Sequence, residues 1–400
     1  MQANWRIGSL LGIPLYLDPS WFLILLFVTI INAGQLDSTF HSPRAWLIGF
    51  VMALLLFSSV LLHELGHSLV AQRQGIKVNS ITLFLFGGIA SIDRESKTPG
   101  EAFQVAIAGP LVSFILFGLF YLLQSSLLTS GMGNVLATDI ARINLVLALF
   151  NLIPGLPLDG GQVLKAAVWK ITGNRFKGVR VAAQGGKFLG GLAMVLGLLL
   201  VLQTGEWGAI WIILIGGFVF RNASAYDQLT TLQETLLRLT ATDAMTRDFR
   251  VVDANLTLRS FADEYILADL KTPMPYYAAS NGRYRGLVAL DDLHFIERSR
   301  WETKTLESIV RPLLEIATVE EKTPLVEVIN QLEFRQLRRL TVLSPAGTLA
   351  GIVDRGDIVR AVARKLNLPI SEAEIKRIKE EDNYPSGLQL QTIAQATVER

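Results

Sequence analysis

The sequence predicts a polytopic α-helical membrane protein of about six transmembrane helices with a small membrane-associated β element, followed by a soluble α/β module. Two observations carry this. Residues 1–222 hold 14 Lys+Arg and 9 Asp+Glu, against 23 and 26 in residues 223–400, so charge density more than doubles near Arg221. Six apolar segments precede that point, and a bilayer core takes about 20 apolar residues in helix, fewer where a segment is broken inside protein. Four hundred residues also exceed one ordinary domain.

The start, residues 1–19, mixes turn residues with strand-like alternation and has no small-residue cleavage site behind its first apolar run, so it is expected to be retained. The apolar segments are 21–33, 46–71, 102–128, 140–153, 181–202 and 209–220, the first, fourth and last being short. Between the second and third, VNSITLFLFGGIASI (78–92) is rich in β-branched and aromatic residues and interrupted by Gly87-Gly88. This composition favours a strand or hairpin with a bend or close backbone approach at the glycines. Between spans, Arg73, Lys77, Arg94, Lys97, Lys165, Lys170, Arg175, Lys177, Arg180, Lys187 and Arg221 fall on one side, with little beyond Arg44 and Arg142 on the other. The rich side is the expected cytoplasmic one, which assigns both termini and the soluble part to the cytoplasm.

Beyond Arg221, residues 223–239 read as a linker. A weak repeat follows, over 240–298 and 306–366, each copy ending in a short apolar strand, a glycine and an amphipathic helix, and 367–400 is a tail with one charged helix over 371–381. Net charge is +2 with both signs interspersed, giving no basic stripe and arguing against a nucleic-acid partner. The chain has no cysteine, so a metal site must use nitrogen and oxygen ligands.

His63-Glu64-Leu65-Gly66-His67 is an H-E-x-x-H motif. A spacing of four puts both imidazoles on one helix face, where they can share a metal. Zinc bound there lowers the pKa of water to about 7, and a neighbouring carboxylate, Glu64, can take up the proton and pass it to a leaving amine. The competing reading is a buried polar cluster on an ordinary helix, but two His and a Glu in an apolar run are costly in lipid and rarely kept without function. A hydrolytic zinc site takes three protein ligands. His41 and His294 lie on the opposite side and in the soluble part. Asp159 is the best third candidate, because the prolines and glycines of NLIPGLPLDGG (151–161) break the fourth span, and irregular backbone at membrane depth is tolerated where it is buried or lines a wet cavity. Asp159 as the N-cap of a following helix is compatible with ligation.

These elements together resemble the site-2 protease family of intramembrane zinc metalloproteases. The resemblance rests on His63-Glu64-Leu65-Gly66-His67, on Phe150-Asn151-Leu152-Ile153-Pro154 leading to Pro157-Leu158-Asp159-Gly160-Gly161, and on Gly87-Gly88, and covers about the first 220 residues. It implies one zinc ion per chain held by His63, His67 and Asp159, with Glu64 as base. It implies that Asn151 assists substrate or oxyanion binding, and that Leu83 to Ala90, with Gly87 and Gly88, forms an edge strand pairing with unwound substrate. Strand addition selects extended backbone over helix. Asn144, seven residues before Asn151, has a packing role as its competing reading. Implied substrates are single-span membrane proteins, such as anti-sigma factors or membrane-tethered transcription factors, cut near the cytoplasmic face in regulated intramembrane proteolysis. A bacterial inner membrane is the expected location, with a plastid membrane as the alternative.

The repeat resembles a pair of CBS domains, which implies an adenine nucleotide as ligand class, with Asp292 and Asp357 as contact residues. The hydroxyl residue expected three positions earlier is absent in both copies, where Ala289 and Asp354 stand. A dimerisation or substrate-docking module is therefore the preferred reading, with a homodimer formed through the CBS domains. Rival functions are a CBS-regulated channel or transporter, or a non-catalytic relative. The first needs a polar pathway that the spans do not supply, and the second ordinarily lacks Glu64 or a ligand.

Overall fold

The computed structural model describes residues 5–36, 42–126, 131–205, 207–267, 274–385 and 390–398, which leaves His41 outside it. The chain divides into two compact units, Met1–Thr230 and Thr231–Arg400.

The first unit opens with a hairpin, β1 (Trp5–Leu10) and β2 (Ile13–Leu17), followed by α1 (Pro19–Leu36) and α2 (Ser42–Arg73). A second hairpin, β3 (Val78–Phe84) and β4 (Gly87–Ile92), comes next. It leads to α3 (Pro99–Ser126), α4 (Gly131–Asn151), α5 (Asp159–Thr172), α6 (Arg175–Thr204) and α7 (Ile210–Arg238). Among the described residues, six helices are long and apolar enough to cross a membrane: all of these except α5. The spans therefore number six, as the apolar segments indicate, and three helices run well beyond their segments, α4 and α6 at the start and α7 at the end. Polar and charged residues at their ends lie outside an apolar window yet sustain the helix, as at Arg175–Arg180 ahead of the span read over 181–202.

Burial in this unit departs from that of a soluble protein, although apolar clusters such as Ile13, Ile76 and Ile81 are buried as usual. Leu23, Leu122, Phe188 and Leu202 are exposed, whereas Ser59, His63, His67, Ser68, Ser113 and Asn144 are buried. Lipid solvates the apolar faces, and polar groups turn inward to find partners.

The two hairpins form one sheet in the order β1-β2-β3-β4, antiparallel within each hairpin and parallel between β2 and β3. β4 is an edge strand. Phe86, in the β3–β4 turn, stacks on Phe218 of α7 with ring centroids 4.6 Å apart, which ties the tip of the hairpin to the last span.

Residues 223–239, expected as a linker, instead continue α7 to Arg238, because Leu232 and Leu236 have an apolar core to enter. The second unit comprises α8 (Ala241–Ala244), β5 (Arg250–Asp253), α9 (Leu258–Phe261), β6 (Tyr276–Ser280), β7 (Arg283–Val288) and β8 (Val310–Pro312). β9 (Thr318–Glu320), α10 (Leu325–Phe334), β10 (Arg339–Leu343), β11 (Leu349–Asp354), α11 (Arg355–Leu366), α12 (Glu372–Glu381) and α13 (Leu390–Val398) follow.

The repeat is visible as topology: β5 and β9 each pair parallel with the next strand, which pairs antiparallel with the one after. The leading segment of each copy packs on the other. Thr240 and Thr246 bridge to Pro324 and Ile352, while β8 closes the sheet of the first copy. The copies differ at their ends. α11 carries a reciprocal Asp354/Asp357 capping box, but the helix expected after β7 is a short 3₁₀ stretch, Leu290–Phe295, whose N-cap Ala289 has no side chain to satisfy the first amides.

Candidate active site

α2 carries His63, Glu64 and His67 on consecutive turns, and neighbouring elements determine what surrounds them. Gly66 is where α3 comes closest. A Cβ there would stand 2.8 Å from Val112 Cγ2 and 2.9 Å from the Ala108 carbonyl oxygen, so any side chain would push the helices apart. This approach brings two α3 groups to the backs of the imidazoles. His67 Nδ1 is 2.6 Å from the carbonyl oxygen of Val105, and His63 Nδ1 is 2.9 Å from Ser113 Oγ. A carbonyl can only accept, so His67 carries a proton on Nδ1, which in the neutral imidazole leaves Nε2 with the lone pair a metal would take.

Asp159 arrives from the other side. The segment between α4 and α5 reverses the chain, with a cis Leu156–Pro157 peptide, and is pinned by Leu156. Leu156 is fully buried against Val179, Ala182 and Ala183 of α6, and its N–H donates to the Ala182 carbonyl at 3.0 Å. α5 then starts at Asp159, with Leu158 rather than Asp159 as its N-cap, which leaves the carboxylate free to turn toward α2.

The donors meet there. The two Nε2 atoms are 3.3 Å apart, and Asp159 Oδ2 lies 2.9 Å from His63 Nε2 and 3.2 Å from His67 Nε2. Donors about 2.0–2.1 Å from a tetrahedral zinc stand roughly 3.3 Å from one another, so this triangle is the right size for the ion. It is the one His and acidic group of metal-binding geometry among the described residues. The group offers two imidazole nitrogens and one carboxylate oxygen, donor types that zinc accepts.

The other residues singled out in the sequence are also located. Glu64 lies beneath β4: a Cβ on Gly88 would meet Glu64 Cγ at 2.6 Å, so the strand reaches this carboxylate only with glycine at that position. Gly87 has φ +135°, a conformation that favours glycine, at the hairpin turn. Asn151, the last residue of α4, has Nδ2 3.5 Å from His63 Nε2, a long contact at the rim of the metal group. Asn144 stands apart from the group. It donates to Ser59 Oγ and to the Ile140 carbonyl, both at 2.9 Å, and joins α4 to α2. His294 lies in the second unit, in the 3₁₀ stretch Leu290–Phe295.

In the second unit, Asp292 pairs with Arg311 at 3.1 Å. The Asp357 carboxylate is buried, 2.6 Å from Lys379 Nζ and 3.2 Å from Arg360 Nη1. Sequence reasoning missed Ser113 and the Val105 carbonyl. A serine in an apolar run carries no distinguishing signal, and a carbonyl belongs to every residue.

Comparison with known proteins bears on the family of the chain. The model of peptidase family M50 matches residues 51–138 and 124–196, and that of the CBS domain matches 306–364. The putative zinc metalloprotease sll0528 of Synechocystis sp. is 41% identical over 367 residues, covering 90% of this chain and 96% of that protein. The putative zinc metalloprotease Rip3 of Mycobacterium tuberculosis is 31% identical over 368 residues, covering 90% and 93%. Among solved structures, the site-2 protease from Methanocaldococcus jannaschii aligns with a TM-score of 0.41 at 33% identity, over 56% of this chain and 95% of that one. With relatives this similar along nearly its whole length, the chain belongs to peptidase family M50 and is a multi-pass membrane zinc metalloprotease with a C-terminal CBS module.

Proposed function

We propose that His63, His67 and Asp159 hold the zinc ion, that Glu64 is the general base, and that substrate enters as an extended strand along β4. The observation that carries this is the triangle of donors with Glu64 adjacent to it, between α2 and an edge strand. Bound zinc acidifies water and polarises a peptide carbonyl. Glu64 would take the water proton and return it to the leaving amine. The Asn151 amide would donate to the carbonyl oxygen as negative charge develops there. An added strand would lie beside Gly88, carrying its peptide bonds past Glu64.

Substrates are membrane proteins, and single-span chains such as anti-sigma factors or membrane-tethered transcription factors fit an edge strand that must unwind a helix. The distribution of Lys and Arg supports an orientation with both termini cytoplasmic; a bacterial inner membrane is the proposed location, with a plastid membrane as the alternative. Wild type and Glu64→Gln, purified in detergent, should both carry zinc, and only wild type should cleave a panel of single-span substrates. Equal cleavage by both would remove Glu64 from the chemistry.

The CBS module is proposed to dock a partner or a second copy of the chain rather than to sense nucleotide. Lys379 and Arg360 already engage Asp357, Lys379 also lies 3.1 Å from Asp354, and Arg311 engages Asp292, so a ribose would have to displace these ion pairs. Titrating AMP, ADP or ATP into the full chain should give no saturable heat. Millimolar or tighter binding that is abolished by Asp357→Ala would overturn this.

A further inference from the structure

We propose that Gly109 of α3 reserves the space the zinc ion fills, and that Val105, Gly109 and Ser113, four residues apart on one helix face, form a third wall of the metal centre. This rests on the reading of His63 and His67 as ligands. The outer two positions work from behind: the Val105 carbonyl and Ser113 Oγ hold the two Nδ1 atoms and turn both Nε2 atoms to one point. Gly109 faces that point. A Cβ on Gly109 would lie 2.2 Å from His67 Nε2 and 2.6 Å from His63 Nε2, and those nitrogens are 3.3 Å apart. An ion bonded to both at roughly 2.0–2.1 Å would then be no more than about 3 Å from the methyl, on whichever side of the nitrogen–nitrogen axis it sits. No side chain fits there together with the ion. Gly66 and Gly109 thus do different things: the first lets α3 approach α2, and the second keeps the approach from filling the site.

The test is zinc affinity, by competition with a chelator and by metal analysis, on wild type, Gly109→Ala, Ser113→Ala and Gly118→Ala. Gly118 lies on the same helix, and a Cβ there meets nothing within 4 Å. Gly109→Ala is expected to lose at least about 100-fold in zinc affinity and Ser113→Ala about 10–100-fold, in line with loss of a hydrogen bond behind a ligating histidine, while Gly118→Ala matches wild type. Since Gly109→Ala could fail for want of stability, its melting temperature is also compared in a His63→Ala/His67→Ala background. There the imidazoles are gone, and the glycine change should no longer lower it. Wild-type zinc affinity in Gly109→Ala, or an equal fall in melting temperature in both backgrounds, would overturn the proposal. A folded wild type without zinc would instead remove the ligand reading beneath it.

Discussion

At the scale of single residues, the chemistry rests on groups whose neighbours leave them one role. Replacing Glu64 by Gln keeps volume and hydrogen-bonding capacity but removes the proposed base, so kcat should fall about 10²–10⁴-fold with zinc content unchanged, as turnover and metal analysis on one preparation would show. The H-E-x-x-H spacing was readable in the sequence because it is a pattern within one helix. Asp159 was readable because Pro154, Gly155 and Pro157 break a span where a break needs a reason. Ser113 was not, since its partnership with His63 spans fifty residues and depends on how α3 crosses α2. In the soluble unit, burial, and after it the charge of Asp354, push Asp357 up to about 6 from the ordinary 3.8. Between roughly pH 4 and 6 the folded state then holds this proton more tightly than the unfolded chain, so Asp357 contributes less stability as pH rises through that window. Chemical denaturation of wild type and Asp357→Asn should show wild type losing ground from pH 4 to 6 and a constant difference above. The opposite slope would mean that the Lys379 ion pair dominates.

At the scale of elements, the β3–β4 hairpin and the α4–α5 reversal place the site, and both were marked in the sequence by composition. The reversal depends on Leu156, buried in α6 beneath the chain that carries Asp159. Leu156→Ala should destabilise the membrane unit by about 2–5 kcal/mol and weaken zinc binding, since the carboxylate would lose its anchor. A thermal melt with and without added zinc checks both effects. Ion pairs brace the same region: Lys165 lies 3.6 Å from Glu95, which also pairs with Arg175. Where the sequence misled, the cause was a contact it could not show. Residues 223–239 look like a linker by polarity, yet Leu232 and Leu236 complete the core of the second CBS copy, and α7 runs on to reach it. The helix expected after β7 has the right apolar residues but no capping side chain at Ala289, whereas Asp354 supplies one to α11.

At the scale of the whole molecule, the chain divides into two compact units with cores of their own, at Thr230/Thr231, a few residues beyond the step in charge density near Arg221. Their internal arrangement was less legible, because the crossing of leading segments between the CBS copies is a tertiary choice made by strands such as β8. Two cores imply two transitions on heating, and only one contains the metal group. Chelation should lower the melting temperature of the membrane unit, with re-addition of zinc restoring it, while the CBS unit is unmoved. The measurement that bears most directly on the enzyme is zinc per chain in detergent-purified wild type, His67→Ala and Asp159→Ala, each checked for folding by circular dichroism. One ion per chain in wild type, with affinity sharply reduced in both variants, is expected if His63, His67 and Asp159 are the ligands. A folded wild type without zinc, or variants that bind it as tightly as wild type, would contradict that assignment.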